Sequence, residues 1–436
     1  MTDDVARRQT LAILVGGGPA PGINGVIASA TIEATNRGLQ VIGLLDGYRW
    51  LVKGDTSHVV ELGIRDVSRI HNTGGSILGT SRTNPASEPE MLERAIQALL
   101  QLGVRYLVCI GGDDTTYGAA KLAGHARGRI GVATVPKTID NDLPLPENAP
   151  TFGYESARAA GTAIIEPLME DARTTGRWYF AITMGRRSGA LALGMCKSAG
   201  ATLAIIPEEF RSEKLDLQMV ADILVGAIVK RRASGRDNGV AVLAEGIGER
   251  LDPARMPSIK ELERDAYGQL HLSDLPLGAL LRQQVRASLV ELGIDTTIVS
   301  KDIGYELRCS RPIPFDIEYT RTLGYGAVRY LLKGGSGALI AITGGRITPV
   351  ALEQLEDKQT GRIRVRTVDV ATESYQVARS YMIRLEASDL GGESLTRLAS
   401  VTNLSPQAFH DRFMPMVLST VSVPLHDASS FGKGVR

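Results

Sequence analysis

The sequence predicts an α/β protein built on parallel strands, and three observations carry the expectation. Short apolar runs recur along the chain, at Leu11–Val15, Tyr106–Ile110, Ile130–Val135 and Ala338–Thr343 among others. Runs without polar alternation are the pattern of strands covered on both faces. Most of these runs end in a glycine-bearing or polar turn and lead into a helical pattern, the rhythm of βαβ units. Finally, 436 residues with 43% hydrophobic content are enough for two lobes with real cores.

In chain order, Leu11–Val15 reads as the first strand, followed by GGGPAPGING and a helical pattern from about Val26 to Asn36. A glycine turn between strand and helix aims backbone amides and the helix dipole at an anion. It is not a dinucleotide fingerprint, because Pro21 stands where the third glycine belongs. Nor is it a Walker loop, because Gly22 is followed by Ile23 rather than lysine. Leu39–Leu45 is the next strand, and Tyr48 beyond it is either a ligand contact or loop packing. NTGGSILGTSRTNP reads as a second anion-facing loop with Arg82 as its cation, the alternative being a solvated arginine. Pro89–Leu102 is an amphipathic helix.

The stretch from Arg105 to Asp142 organises the rest. Its strands Tyr106–Ile110 and Ile130–Val135 flank the helix-like KLAGHARGR and run into two loops. One loop holds Gly111, Gly112, Asp113 and Asp114; the other holds Lys137, Thr138, Asp140 and Asp142. If the strands lie side by side, four carboxylates and one ammonium gather around glycine amides. That arrangement suits a metal-bound phosphate and a proton acceptor.

Further on come a helix over Ser156–Asp171 and a strand over Trp178–Thr183 that stops at MGRRSG. Arg186 is there a phosphate ligand or a surface partner, and Arg177 is ambiguous in the same way. Helix Ala190–Ala199, strand Leu203–Ile206 ending in PEEF, helix Leu215–Arg232 and strand Gly239–Leu243 follow, the last placing Glu245 at a strand end. Residues 247–274 are a polar surface excursion. Helix Leu277–Leu292, strand Thr297–Ile303, the pair Tyr305 and Arg308, helix Ile317–Leu332 and strand Ala338–Thr343 complete a second set. Residues 346–436 are a weaker mixture with one helix near Thr372–Leu385, and a structural or oligomeric role is expected of them.

The formal net charge of +1 gives no global field for nucleic acid or acidic membranes, so any anion site is local. The three cysteines, Cys109, Cys196 and Cys309, form no CxxC pair and read as packing residues in a reducing compartment. MTDDVARRQT lacks the apolar core of a signal peptide, and no apolar run is of membrane-spanning length. A cytoplasmic protein is expected.

The loops GGPAPGIN, GGSILGTSR, GGDDT, PKTIDND, MGR, AEG and GYELR, taken in that order from Leu11 to Gly345, resemble those of the phosphofructokinase family. The resemblance implies two similar Rossmann-like three-layer domains with the active site in the cleft between them. Their expected bounds are 8–150 on the phosphoryl-donor side and 151–345 on the sugar-phosphate side, with crossovers between lobes, and a C-terminal extension at 346–436. It also implies Mg2+-dependent phosphorylation of the 1-hydroxyl of fructose 6-phosphate. Position by position, Asp140 resembles the base, with Asp142, Thr138 and Lys137 beside it, and Asp113 the magnesium-associated aspartate. Gly17 resembles the glycine whose amide faces the transferred group, and Arg82 the arginine that steadies its charge. Met184, Gly185, Arg186, Glu245, Tyr305 and Arg308 fall where the family binds the sugar phosphate. Arg177 matches an arginine lent by a neighbouring subunit, which implies a homo-oligomer. Tyr305 stands where the ATP-using bacterial enzymes have histidine, and a phenol hydrogen-bonds phosphate without carrying charge.

Two departures concern the phosphoryl donor. ATP-using bacterial members read GGDG and PGTIDND, where this chain has Asp114 and Lys137. Glycine leaves room for the α-phosphate and nucleoside; aspartate adds bulk and negative charge, and lysine supplies a cation suited to compact pyrophosphate. This resembles the pyrophosphate-dependent branch, whose reaction is readily reversible. The bland alternative is a surface salt bridge between Asp114 and Lys137. An ATP-dependent enzyme is the first competing function. A non-catalytic regulatory subunit is disfavoured because Asp113, Asp140, Asp142, Arg82 and Arg186 are all present. The missing fingerprint disfavours a nicotinamide oxidoreductase.

Overall fold

The computed structural model describes residues 9–252 and 275–421. The greater part of the 247–274 excursion therefore lies outside the described residues, as do the first eight. The chain divides into two compact units, one of residues up to 161 with 304–366, the other of 162–303 with residues from 367 on.

The first unit is built on a sheet with strands β1 (Thr10–Val15), β2 (Gln40–Leu44), β3 (Val59–Glu61), β4 (Val104–Gly111), β5 (Gly131–Thr138) and β6 (Phe152–Gly153). Within the second unit lie β7 (Arg177–Thr183), β8 (Leu203–Ile205), β9 (Gly239–Ala244) and β10 (Thr297–Ile303); β11 (Ala338–Thr343) and β12 (Arg346–Ala351) return to the first. The first sheet runs β12-β11-β5-β4-β1-β2-β3, with β6 pairing β5 off that path. Its β1, β2, β4, β5 and β11 are mutually parallel, while β3 and β12 are antiparallel edges. After β1 the chain goes first to β2 on one side and later to β4 on the other, so the topological switch point lies between β1 and β4. Ligands of doubly wound sheets bind at the carboxyl ends of such strands.

The apolar runs are explained by packing on both sheet faces. Along β1, Leu11, Ile13 and Val15 join one core cluster, with residues of the helices Ile23–Asn36 and Pro314–Leu332. Ala12 and Leu14 join the other, with the helices Pro89–Gln101 and Asp113–Ala126. Period-two alternation thus fills two layers, and neither side asks for a polar residue. Tyr48 belongs to this packing, buried with its hydroxyl 3.3 Å from Cys109 Sγ.

The second unit carries the parallel sheet β10-β7-β9-β8. Its core includes Trp178, Phe180, Leu224 and Leu281, together with Leu385, Leu390, Phe409, Phe413 and Met416 from the C-terminal part. The boundary expected at 345 is therefore replaced by another division. β11 and β12 extend the first sheet through β5, whereas residues from 367 complete the core of the second unit. That C-terminal part holds the expected helix as Glu373–Tyr381 and two more, Gly392–Ala399 and Pro406–Ser419.

Three local expectations are corrected. Asp113 and Asp114 are not in a loop but in the first turn of a helix, where carboxylates are favoured by its dipole. Lys137 and Thr138 lie on β5 itself, because the short strand β6 pairs with both. The carboxylate of Asp316 in turn accepts from Gly153 N, Ser156 N and Ser156 Oγ, anchoring that strand end. Cys309 is exposed rather than packed, while Cys109 and Cys196 are buried.

Candidate active site

In the first unit the glycine turn follows β1. Gly16 N donates to Ile110 O at 2.9 Å and Gly17 N to Ser81 O at 2.8 Å, while Thr80 Oγ1 donates to Gly17 O at 2.6 Å. These bonds stitch the loop of Arg82, an exposed side chain, to the turn. They also correct the role expected of Gly17, whose N–H is committed to Ser81 rather than offered to a ligand. What Gly17 supplies is shape: its φ is +80°, and a Cβ there would stand 3.2 Å from Lys137 Nζ.

Lys137, only 3% exposed, comes from β5 and donates its ammonium to Gly18 O. Burial is the main reason its pKa falls to about 8; Arg308 lowers it further, while Asp140, Asp113 and Asp142 pull the other way. Three of the four acids expected around this cation, Asp113, Asp140 and Asp142, are thus near enough to act on its buried ammonium. The surface salt bridge is not how Lys137 is used, since it is buried. Asp114, one residue after Asp113 in the same helical turn, is exposed.

The turn after β5 is held from its own backbone. Asp140 N donates to Thr138 Oγ1 at 3.0 Å, Thr151 Oγ1 to Thr138 O at 2.9 Å and Thr151 N to Asn141 Oδ1 at 3.1 Å. Asn141 adopts φ +56°, a left-handed conformation that asparagine tolerates better than most residues. Asp142 is 7% exposed. Arg308 packs against the glycine turn, its Cζ 3.4 Å from where a Cβ on Gly18 would be, and stacks 5.1 Å over the exposed Tyr305 ring. The structure therefore brings Gly17, Lys137, Asp113, Asp140, Asp142 and Arg308 into one neighbourhood.

In the second unit the carboxyl ends of β7 and β9 meet. Glu245 N donates to Thr183 O at 2.9 Å, and Glu245 Oε1 accepts from Gly185 N at 3.2 Å and Arg186 N at 3.1 Å. One carboxylate thus ties down the loop of Met184, Gly185 and Arg186, whose arginine has φ +48°. A Cβ on Gly246 would lie 2.0 Å from Arg186 O, so only glycine fits there. Arg177 is not with this group. It opens β7, and seven steps along extended chain place it about 23 Å from Met184. There its Nε lies 3.8 Å from Asp171 Oδ2.

Two residues escaped the sequence reading. Glu208, in the PEEF turn, accepts from Gly189 N and Val368 N, each at 2.9 Å. Arg366, in the stretch without clear periodicity, grips the turn after β5. The only sequence signal for Glu208 was its place at a strand end; Arg366 had none.

A doubly wound sheet that collects glycines, a buried lysine and aspartates at its switch point defines a phosphate-handling α/β protein. The family model described as phosphofructokinase matches residues 10–331, and the chain belongs to the phosphofructokinase family. It is 53% identical over 411 residues to the pyrophosphate–fructose 6-phosphate 1-phosphotransferase of Thermotoga maritima, covering 93% of this chain and 98% of that protein. To the Naegleria fowleri protein of the same name it is 46% identical over 418 residues, covering 94% and 96%. The solved pyrophosphate-dependent phosphofructokinase of Nitrosospira multiformis shares the fold, with a TM-score of 0.66 at 16% identity over 97% of this chain and 95% of that one. Among the described residues no helix is long and apolar enough to cross a membrane.

Proposed function

We propose that this protein catalyses reversible, Mg2+-dependent transfer of a phosphoryl group from pyrophosphate to the 1-hydroxyl of fructose 6-phosphate, giving fructose 1,6-bisphosphate and phosphate. The observation that carries the donor assignment is Lys137, which stands where the ATP-using bacterial members read glycine and whose buried ammonium donates to Gly18 O. The names of the Thermotoga and Naegleria relatives point the same way.

Asp140 takes the proton of the attacking hydroxyl, as a carboxylate within hydrogen-bond reach of an alcohol can. Asp142 and Thr138 hold that turn in place, and Arg82 offsets charge on the transferred group. Lys137 and Asp114 bound the donor side, the one attracting compact pyrophosphate and the other repelling a longer polyphosphate. Met184, Gly185, Arg186, Glu245, Tyr305 and Arg308 hold the sugar phosphate. Asp113 is the residue to hold magnesium, since its carboxylate is a hard oxygen ligand near the lysine that faces the donor. The ion, when bound, neutralises phosphate charge. Arg177, remote from the Met184 loop on its own strand, suits a residue lent to a neighbouring copy, so the working unit is a homo-oligomer. Its place is the cytoplasm.

The reverse reaction tests the donor. Fructose 1,6-bisphosphate with inorganic phosphate is expected to yield pyrophosphate, and a reverse reaction that runs only with ADP would overturn the assignment. A pH profile tests Lys137. Its charge is present below about pH 8 and lost above, so kcat/KM for pyrophosphate should fall about tenfold per pH unit on the alkaline side. Lys137→Arg should remove that limb; an unchanged limb in the variant would take the lysine out of donor binding.

A further inference from the structure

The chain leaves the first unit for the last time at Arg366 and enters the second at Thr367. On the near side of that crossing, Arg366 makes a concentrated set of contacts with the turn that carries Asp140 and Asp142. Its Nε donates to Asn141 O at 2.8 Å, its Nη1 to Ala149 O at 2.8 Å and its Nη2 to Asn141 Oδ1. Its backbone N–H donates to Asp142 O at 2.7 Å. A planar guanidinium satisfies three acceptors that a turn in the left-handed conformation leaves pointing outward, and a single ammonium cannot span them. Asn141 sits between the two aspartates, so this grip acts on the direction of both.

Two residues later, on the far side, Val368 N donates to Glu208 Oε1 at 2.9 Å. The same oxygen accepts from Gly189 N at 2.9 Å. Gly189 closes the loop that begins at Met184, and Ser188 N donates back to Gly185 O at 2.9 Å. Glu208 is half-buried, and a Cβ on Gly189 would meet its Oε2 at 2.7 Å, so the glycine leaves the room that this close approach needs. The loop of Arg186 is therefore held at one end by Glu245 and at the other by Glu208.

We infer that Arg366–Val368 is a positioning strap, in which Arg366 orients the turn of Asp140 and Asp142 while Val368, through Glu208, orients the loop of Met184–Arg186. Neither Arg366 nor Glu208 touches a reacting atom; each acts through the loop it holds. The inference rests on the function proposed above, because it assigns proton transfer to one loop and sugar-phosphate binding to the other. The two positioning residues should consequently fail in different kinetic parameters. Misdirecting a base lowers kcat, whereas loosening a phosphate-binding loop raises KM.

Steady-state kinetics of purified full-length variants, each checked for an unchanged thermal midpoint, test this. Wild type is assayed first with pyrophosphate and with ATP, which tests the functional reading by itself. The variants are then assayed with whichever donor wild type uses, so the two ideas fail separately. Arg366→Met is expected to lower kcat about 30-fold with KM for fructose 6-phosphate within about twofold, and Arg366→Lys to recover only part of the loss. Glu208→Ala is expected to raise KM for fructose 6-phosphate about tenfold with kcat within about threefold. Glu208→Gln keeps the accepting Oε1 and should lie close to wild type. Folded Arg366→Met with wild-type kcat, or the same parameter failing at both positions, would overturn the strap.

Discussion

Asp140→Ala is expected to lower kcat by a factor of about 10³ to 10⁴ while leaving fructose 6-phosphate bound nearly as before. The size follows from the chemistry. An alcohol is a poor nucleophile while it keeps its proton, and a fixed carboxylate removes it as the bond to phosphorus forms. A loss of that size corresponds to about 4 to 5.5 kcal/mol of transition-state stabilisation. The binding half follows from the division of labour, since the sugar phosphate is assigned mainly to Arg186, Glu245 and Arg308. The check is turnover by coupled assay beside calorimetric binding of the sugar. Wild-type turnover in the variant removes Asp140 as base; loss of sugar binding in step with turnover would make it a binding residue instead.

Exchanging both donor-side residues for glycine, Asp114→Gly with Lys137→Gly, is expected to move the preference for pyrophosphate over ATP by about 10³-fold in kcat/KM. Removing Lys137 takes away a buried cation beside the glycine turn and opens the space next to Gly17. Removing Asp114 takes away negative charge from the first turn of the helix Asp113–Ala126. Pyrophosphate loses its attraction, and ATP loses both a steric and an electrostatic obstacle. A double variant that loses pyrophosphate activity without gaining any ATP activity would leave Lys137 a pyrophosphate ligand but remove these two positions as the gate against ATP.

The sheet strands were legible because most are covered on both faces, so burial alone writes a continuous apolar run such as Leu107–Ile110. The candidate site was legible for a related reason. Glycines and acids at strand ends have no packing purpose, and they stand out in the sequence. What sequence could not carry was set by contacts far apart along the chain. Lys137 lies on β5 because Phe152 pairs with it, and β11 belongs to the first sheet because Ala338 lies opposite Ala133. Gly392–Ala399 spans only eight residues and Pro406–Ser419 carries Pro415 inside it, so neither has a plain helix signature before it packs on the core. Gly17 was misread because a glycine turn advertises free amides, and only the pairing with Ser81 reveals that this N–H is used internally. Arg366 carries no local signature, since its three acceptors are more than 200 positions away in sequence.

The proposed choice of donor turns on Lys137, buried beside the glycine turn. Initial rates of the purified protein with fructose 6-phosphate and Mg2+, measured against increasing pyrophosphate and separately against ATP, address it directly. Saturable turnover with pyrophosphate and a kcat/KM for ATP lower by at least about 10³-fold is the predicted result. Efficient turnover with ATP, and none with pyrophosphate, would contradict it.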